Sequence, residues 1–342
     1  MIVRARAPLR LGLAGGGTDV SPYCDEYGGY VLNATINKYA YAMIDLNGVE
    51  HVEFVAPDQN QSCNYPLQSP IEFDGRLDLH KAVYNRIVQQ YNDGKPIPLK
   101  LTTFCEAPAG SGLGSSSTIV VAMVKSFVEL LRIPLGEYEI AHLAYEIERI
   151  DAGLNGGKQD QYAATFGGVN FIEFRESDHV IVNPLRIKNW IMSELEASVV
   201  LFYTGKSRDS AQIIDQQSAN VKDHRESSIE AMHALKLAAV HMKESLLKGD
   251  FEGLAVGMRE AWESKKATAK GITNEHMNQI YDLAIQSGAR AGKVSGAGGG
   301  GFMMFLVEPS RRVEVMNALS GLKGQVMACH FTWHGTEGWR AQ

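Results

Sequence analysis

Cysteine is scarce in this sequence, and long apolar runs are missing. The four cysteines, Cys24, Cys63, Cys105 and Cys329, form no CxxC pair, which argues against a disulfide framework and a zinc site and predicts reduced thiols in or near a core. No stretch reaches the roughly 20 apolar residues a membrane-spanning helix needs. The opening residues MIVRARAPLR also lack the apolar segment of a secretory signal. A cytoplasmic protein with no membrane partner is therefore expected. Positive charge is not in excess either: 33 Lys and Arg stand against 39 Asp and Glu, a net charge of −6, so nucleic acid is not an expected partner.

Glycine, by contrast, is abundant. The 34 glycines cluster at 15–17, 110–114, 153–157 with 167–168, and 296–301. Glycine costs backbone entropy, so a chain concentrates it where positive φ or close approach of a ligand to the backbone demands it. At 342 residues the chain exceeds one ordinary hydrophobic core, and two domains are expected. Residues 2–7, 30–45, 52–55, 99–104 and 169–174 read as strands. Residues 116–131 place Ile119, Val120, Met123, Val124, Phe127, Val128 and Leu131 at helical spacing, with Pro134 beyond, and a second helix is expected over 138–150. Past the strand at 180–184, helices dominate (209–222, 227–248, 254–268, 276–286), with strands at 197–203, 293–295, 302–307 and 327–331. The boundary is expected near residue 180, giving domains 1–180 and 181–342 around a shared cleft.

The most telling segment is EAPAGSGLGSSST, residues 106–118, between a predicted strand and a predicted helix. A helix N-terminus offers free N–H groups and partial positive charge, and glycines before it let phosphate oxygens reach them. Pro108, Gly110, Ser111, Gly112, Leu113 and Gly114 form the expected phosphate loop. Ser115, Ser116 and Ser117 add hydroxyls for phosphate or for Mg²⁺, which prefers oxygen ligands; the plainer alternative is a helix cap. Other nucleotide motifs fail on the letters. The nearest approach to GxxxxGK[ST] ends in Gly205-Lys206-Ser207 but has Val200 in place of the first glycine. Gly296, Gly298 and Gly301 spell GxGxxG but precede a predicted strand, not the helix of a dinucleotide fold. The HRD and DFG signatures of protein kinases do not occur.

With these residues in view the chain resembles the GHMP kinases. Three segments match in order: APLRLGLAGGGTD at 7–19, the 108–118 loop, and KVSGAGGGGF at 293–302. The wording of residues 11–19, 29–36 (GYVLNATI) and 157–163 (GKQDQYA) is similar to the family's sugar 1-kinases acting on heptose phosphates, with the fucokinase domain a near relative. The resemblance implies an α+β GHMP kinase fold, with an N-terminal α/β domain like domain 2 of ribosomal protein S5 and a C-terminal α+β domain. It also implies ATP and Mg²⁺ as cofactors and a sugar phosphate as substrate; a homodimer is allowed but not dictated.

On this resemblance Asp160 is the catalytic carboxylate, which accepts or orients the hydroxyl proton, and Arg10 is the basic residue beside it. A helix cap is the plainer alternative for Asp160, and an outward-facing edge residue for Arg10. Lys158 either keeps Asp160 ionised or faces solvent. Gly16, Gly17, Thr18 and Asp19 match the sugar-binding loop, with a turn as the rival role for Asp19. Ser116 and Glu148 match the Mg²⁺ ligands, with a solvated helix face as the plainer alternative for Glu148 and its neighbour Glu146. Gly298 and Gly299 close over the phosphates or support the second loop. Lys206 and Arg208 are candidates to anchor a phosphate that the substrate already carries. The expected reaction is transfer from ATP to the anomeric hydroxyl of a heptose 7-phosphate. The alternatives are a kinase for an unphosphorylated sugar such as fucose, and a non-catalytic sugar and nucleotide sensor.

Overall fold

The structure, a computed structural model, describes residues 1–205 and 210–341. The first part runs β1 (Ile2–Ala14), α1 (Tyr23–Tyr27), β2 (Gly29–Asp45), β3 (Val52–Ala56), β4 (Gln61–Tyr65), α2 (Asp78–Tyr91), β5 (Leu99–Cys105), α3 (Ser115–Leu131), α4 (Glu137–Glu146), a π turn (Ile147–Asp151), α5 (Gln159–Phe166), β6 (Val169–Phe174) and β7 (Val180–Pro184). The second runs α6 (Asn189–Ser198), β8 (Val199–Tyr203), α7 (Ser210–Lys222), α8 (Glu226–Lys248), α9 (Phe251–Thr268), α10 (Glu275–Gln286), β9 (Ala289–Val294), β10 (Phe302–Val307), α11 (Arg312–Ser320), β11 (Gln325–Ala328) and β12 (Glu337–Ala341). The expected strand–glycine loop–helix order around residues 99–131 is present as β5, loop and α3.

An eight-stranded sheet holds the first part together. Its spine is β12-β1-β2-β5-β3-β4, and β6 pairs with the other half of β2 and carries β7. The antiparallel β1–β2 ladder shifts register between Pro8 and Arg10. Proline has no N–H to give the ladder, and irregularities of this kind re-aim a side chain. The Arg10 N–H leaves β2 and donates to the Leu113 carbonyl at 3.2 Å. The β1 strand is thereby tied to the glycine loop at the residue whose side chain the site uses.

Helix α3 lies on this sheet, and Val120 to Val124 and Phe127 are all fully buried. That is a wider apolar surface than the predicted stripe, because α3 is enclosed by β1 and β2 on one side and by α2, α4 and α5 around it. A helix with so wide an apolar surface belongs largely inside, and its Lys125 and Glu129 stay partly exposed.

The second part is an antiparallel sheet, β11-β8-β10-β9, with the α8–α9 pair alongside. One apolar cluster crosses between the parts: Leu9, Leu11 and Leu13 of β1 pack with Leu201, Met242, Met258, Phe302 and Met304. Each buried leucine contributes about 1.5–3 kcal/mol, so the two halves share a core and hold the cleft's walls in fixed relation. The expected boundary at 180/181 falls at the first residue of β7, which pairs with β6, and β12 returns to β1. We divide the chain after Pro184, with the last strand rejoining the first sheet.

Candidate active site

A cavity of about 170 Å³ opens where the β1 end, the 110–117 loop and the start of α5 meet α9 and β9. At its centre Arg10 and Asp160 form an ion pair, Nε to Oδ1 at 2.7 Å and Nη2 to Oδ1 at 2.6 Å. The Arg10 side chain is 6% exposed and that of Asp160 20%, so the carboxylate keeps an open side while the guanidinium does not. Arg10 Nη1 donates to the Gly112 carbonyl at 2.5 Å, which joins acid, base and phosphate loop in one network. Neither plainer reading holds: Arg10 does not face outward, and the α5 N-cap position is Lys158, without a side-chain cap.

The loop is shaped for close approach. Gly114 has φ +77°, and a Cβ there would lie 3.0 Å from the Asp160 carboxylate. Any larger residue would push the acid away from the loop. Gly114 is also the α3 N-cap, and no side chain caps that helix, so Ser115, Ser116 and Ser117 are free of the capping role. All three border the cavity with Gly110, Gly112 and Gly114. Pro108 serves the turn, its carbonyl accepting from the Ser111 N–H at 3.1 Å. Leu113 is fully buried and packs in the shared core, so its part in the loop is packing. The Ser111 side chain is also buried, and among the described residues its hydroxyl has no hydrogen-bond partner.

The third loop backs the second. A Cβ on Gly112 would strike the Ser295 carbonyl at 2.1 Å, and one on Gly301 the Ser111 carbonyl at 2.3 Å; Phe302 N–H donates to Ser111 O at 2.8 Å. Gly298 and Gly299, expected at the nucleotide, instead turn to Ile272, whose carbonyl accepts from Gly299 N–H at 2.8 Å. Gly296 and Ala297 border the cavity in their place.

In the first loop, Gly16, Gly17 and Asp19 border the cavity. Asp19 does two jobs: Oδ1 accepts from the Gly17 N–H and Oδ2 from the Gln159 N–H, both at 3.0 Å. It thus closes its own turn and caps α5 from outside, with lone pairs left over for hydroxyls. Thr18, expected to touch the sugar, is fully buried and staples β1 to β2 through bonds to Gly15 O and Tyr30 O. Lys158 does not reach Asp160. Its ammonium pairs with Asp178 at 2.5 Å and Asp25 at 3.4 Å, on the far side of α5. Lys206 and Arg208 lie outside the described residues.

Glu148 is fully buried because the π turn re-aims it. Arg86 of α2 clamps that turn at both ends, binding Glu146 at 3.0 Å and Asp151 at 2.6 Å. Glu148 Oε2 accepts from Gln161 Nε2 at 2.6 Å, and the same amide donates to Ser117 Oγ at 3.2 Å. Among the described residues its Oε1 accepts no hydrogen bond and is ion-paired with Arg149, at 3.2 Å. A carboxylate joined through Gln161 to the Ser117 hydroxyl supplies oxygen ligands of the kind Mg²⁺ prefers, and Arg149 is the cation that neutralises it without the metal. Ser117 joins this cluster, whereas Ser116 is exposed at the cavity edge.

Sequence reasoning missed two cations. Lys265 of α9 and Lys293 of β9 are 4% and 7% exposed and border the cavity. Lys265 Nζ donates to Gly16 O at 2.9 Å and Lys293 Nζ to Gly12 O at 2.5 Å. Burial lowers Lys265 to about 8, against the attraction of Asp19. Burial lowers Lys293 to about 7, and Lys265 and Arg10 add repulsion. With Arg10 and Arg149 they give the cavity a positive character that favours phosphate.

The model of the GHMP kinases N terminal domain matches residues 78–168, and that of the GHMP kinases C terminal domain residues 242–322. The chain is 50% identical over 338 residues to the D-glycero-alpha-D-manno-heptose 7-phosphate kinase of Campylobacter jejuni, covering 99% of both. A crystal structure described as a D-glycero-D-manno-heptose 1-phosphate kinase, from Bacteroides thetaiotaomicron, superposes with a TM-score of 0.85 at 48% identity over 99% of each chain. The galactokinase of Lactococcus lactis, solved with galactose, is 17% identical with a TM-score of 0.78, covering 98% of this chain and 95% of that one, and shares the fold alone. With both family models matched and half of all residues identical over the full length of a relative, this chain belongs to the GHMP kinases.

Proposed function

We propose that the chain is an ATP-dependent sugar 1-kinase that transfers the γ-phosphoryl group to the anomeric hydroxyl of D-glycero-D-manno-heptose 7-phosphate, giving the 1,7-bisphosphate. The observation that carries it is the contact between Gly114 and Asp160, 3.0 Å from a virtual Cβ to the carboxylate. It sets a partly open acid directly against a helix N-terminus built for phosphate. Phosphoryl transfer needs little else from a protein than positioning and charge neutralisation.

The residues divide the work as follows. The α3 N-terminus and the 110–117 loop bind the triphosphate. Asp160 accepts the proton of the attacking hydroxyl, and Arg10 fixes the orientation of that carboxylate while remaining bound to the loop. Asp19 and the backbone of residues 16–17 orient the sugar. Glu148 and Ser116, with Ser117 beside them, hold Mg²⁺, which supplies neutralisation of phosphate charge. Use of ATP and the reduced state of the thiols fit a cytoplasmic setting.

The test is ADP release with an acceptor panel. Heptose 7-phosphate is expected to exceed both unphosphorylated heptose and fucose in kcat/KM; equal rates with heptose and its 7-phosphate would sink the assignment. The position of transfer is read by ³¹P NMR and by acid lability, since an anomeric phosphate hydrolyses readily in acid. An acid-stable product overturns 1-kinase chemistry.

A further inference from the structure

We propose that Lys265 and Lys293 form the site for the acceptor's own phosphate, holding a sugar phosphate by its distal end while the anomeric hydroxyl faces Asp160. The inference rests on the kinase reading above and names what determines acceptor choice within it.

Both ammonium groups are buried, and among the described residues neither meets a carboxylate within ion-pairing distance; each makes one bond, to a backbone carbonyl. An ammonium has three donors, so four of the six are available to a ligand. A buried cation without an anion is costly. The fold nonetheless makes room for these two. Gly17 has φ +107°, and a Cβ there would come within 2.9 Å of Lys265 Nζ. Bare backbone is therefore what lets the ammonium reach the loop. A doubly charged phosphate would supply the missing counter-charge for both lysines.

Position separates this site from the nucleotide. The triphosphate loop lies against Asp160 on one side of Arg10. The two lysines bond instead to β1 and the turn after it, at Gly12 and Gly16. Gly12 is two residues from Arg10, a span of roughly 7 Å along a strand, comparable to the reach of a pyranose ring with its exocyclic arm. Asp19, between Gly16 and the α5 N-terminus, borders the space a sugar ring would fill.

The experiment compares wild type with Lys265→Met and Lys293→Met, using heptose 7-phosphate and unphosphorylated heptose as acceptors. The expected result is a rise in KM for the 7-phosphate of about 10- to 100-fold per variant. KM for ATP and kcat/KM for the unphosphorylated sugar should stay within about threefold, and Lys→Arg at either position should recover part of the loss. A fall in kcat that is equal for both acceptors, or a rise in KM for ATP, overturns the proposal and moves the lysines to the transferred or nucleotide phosphates. Calorimetric titration of heptose 7-phosphate without nucleotide reads the site independently of turnover. Binding to wild type that is lost in the variants upholds the phosphate site even if no ADP is released, in which case only the kinase reading fails. Unchanged binding in the variants overturns the site. Met removes a buried charge and keeps the stem's bulk, so both variants are expected to fold, as circular dichroism checks.

Discussion

Four lysines are buried among the described residues, Lys81, Lys158, Lys265 and Lys293, and they fall into two regions with opposite electrostatics. In the wall of the N-terminal part, Lys81 faces Asp74 and Asp78, and Lys158 faces Asp178 and Asp25. Burial is the largest single effect on Lys158 and lowers it, but the hydrogen bond to Asp178 and the fields of Cys24, Tyr145 and Asp178 together outweigh it and raise the group above an ordinary lysine. At the cavity the same burial acts without a carboxylate partner, and Lys265 and Lys293 are lowered. Burial therefore does not mark function by itself. A buried cation whose partner the fold supplies belongs to the structure, and one whose partner the fold omits is left for a ligand.

Arg10–Asp160 is the pair that belongs to both groups, since it is satisfied internally and still borders the cavity. Asp160→Asn tests whether that pair serves chemistry. Turnover should fall by about 10²–10⁴-fold with KM for ATP and sugar nearly unchanged, measured by ADP release. A variant that retains wild-type kcat would make the pair structural like Lys158, and a sensor reading would regain force. The converse test is at the wall. The double variant Asp25→Asn/Asp178→Asn removes both carboxylates from Lys158. An unpaired buried charge costs about 3–5 kcal/mol. Because Asp25 and Asp178 are 41% and 53% exposed, solvent screening reduces the expected loss to roughly 2 kcal/mol. Urea unfolding should read that loss, while kcat stays at the wild-type level. A large drop in kcat with unchanged stability would erase the distinction between the two regions.

Much of this was legible in the letters, and the exceptions have physical causes. The three glycine loops and the α3 helix follow from local patterns, because backbone exposure and helix ends leave marks over a few residues, whereas the Arg10–Asp160 pairing, 150 positions apart, was legible through the family resemblance. The expected helix over 138–150 was real to Glu146, but the π turn that buries Glu148 depends on Arg86, some sixty positions earlier, and no local window contains it. Thr18 reads as sugar-facing because it stands between glycine and aspartate; its hydroxyl instead serves the Gly15 and Tyr30 carbonyls, which only the folded hairpin brings near. Helix α2 and strand β12 went unread: α2 mixes His80, Lys81 and Asn85 into an otherwise apolar face, and β12 is five residues whose pairing partner is at the other end of the chain. Lys293 was within view as the first letter of a glycine-rich segment, a charge ending the strand ARAGKV. Lys265 carried no signal, since a lysine pair on a long helix usually faces water.

The smallest effect gives the finest test of the two-region contrast. Lys265 and Lys293 bind fewer protons in the ligand-free folded chain than in the unfolded one between about pH 7 and the ordinary lysine value of 10.5. Folding therefore opposes their charge below that window, and stability should rise with pH as they discharge. Lys158 has the opposite sign, because its raised value contributes stability that persists until higher pH. The charged groups facing the two cavity lysines are Asp19 and Arg10. Between pH 7 and 9 the melting temperature of ligand-free wild type should climb by about 2–5 °C, and Lys293→Met should flatten most of that climb. Saturating heptose 7-phosphate should abolish it in wild type, since a bound dianion keeps both ammonium groups protonated. If the slope were the same with and without the sugar phosphate, the two lysines would not be the groups that meet it.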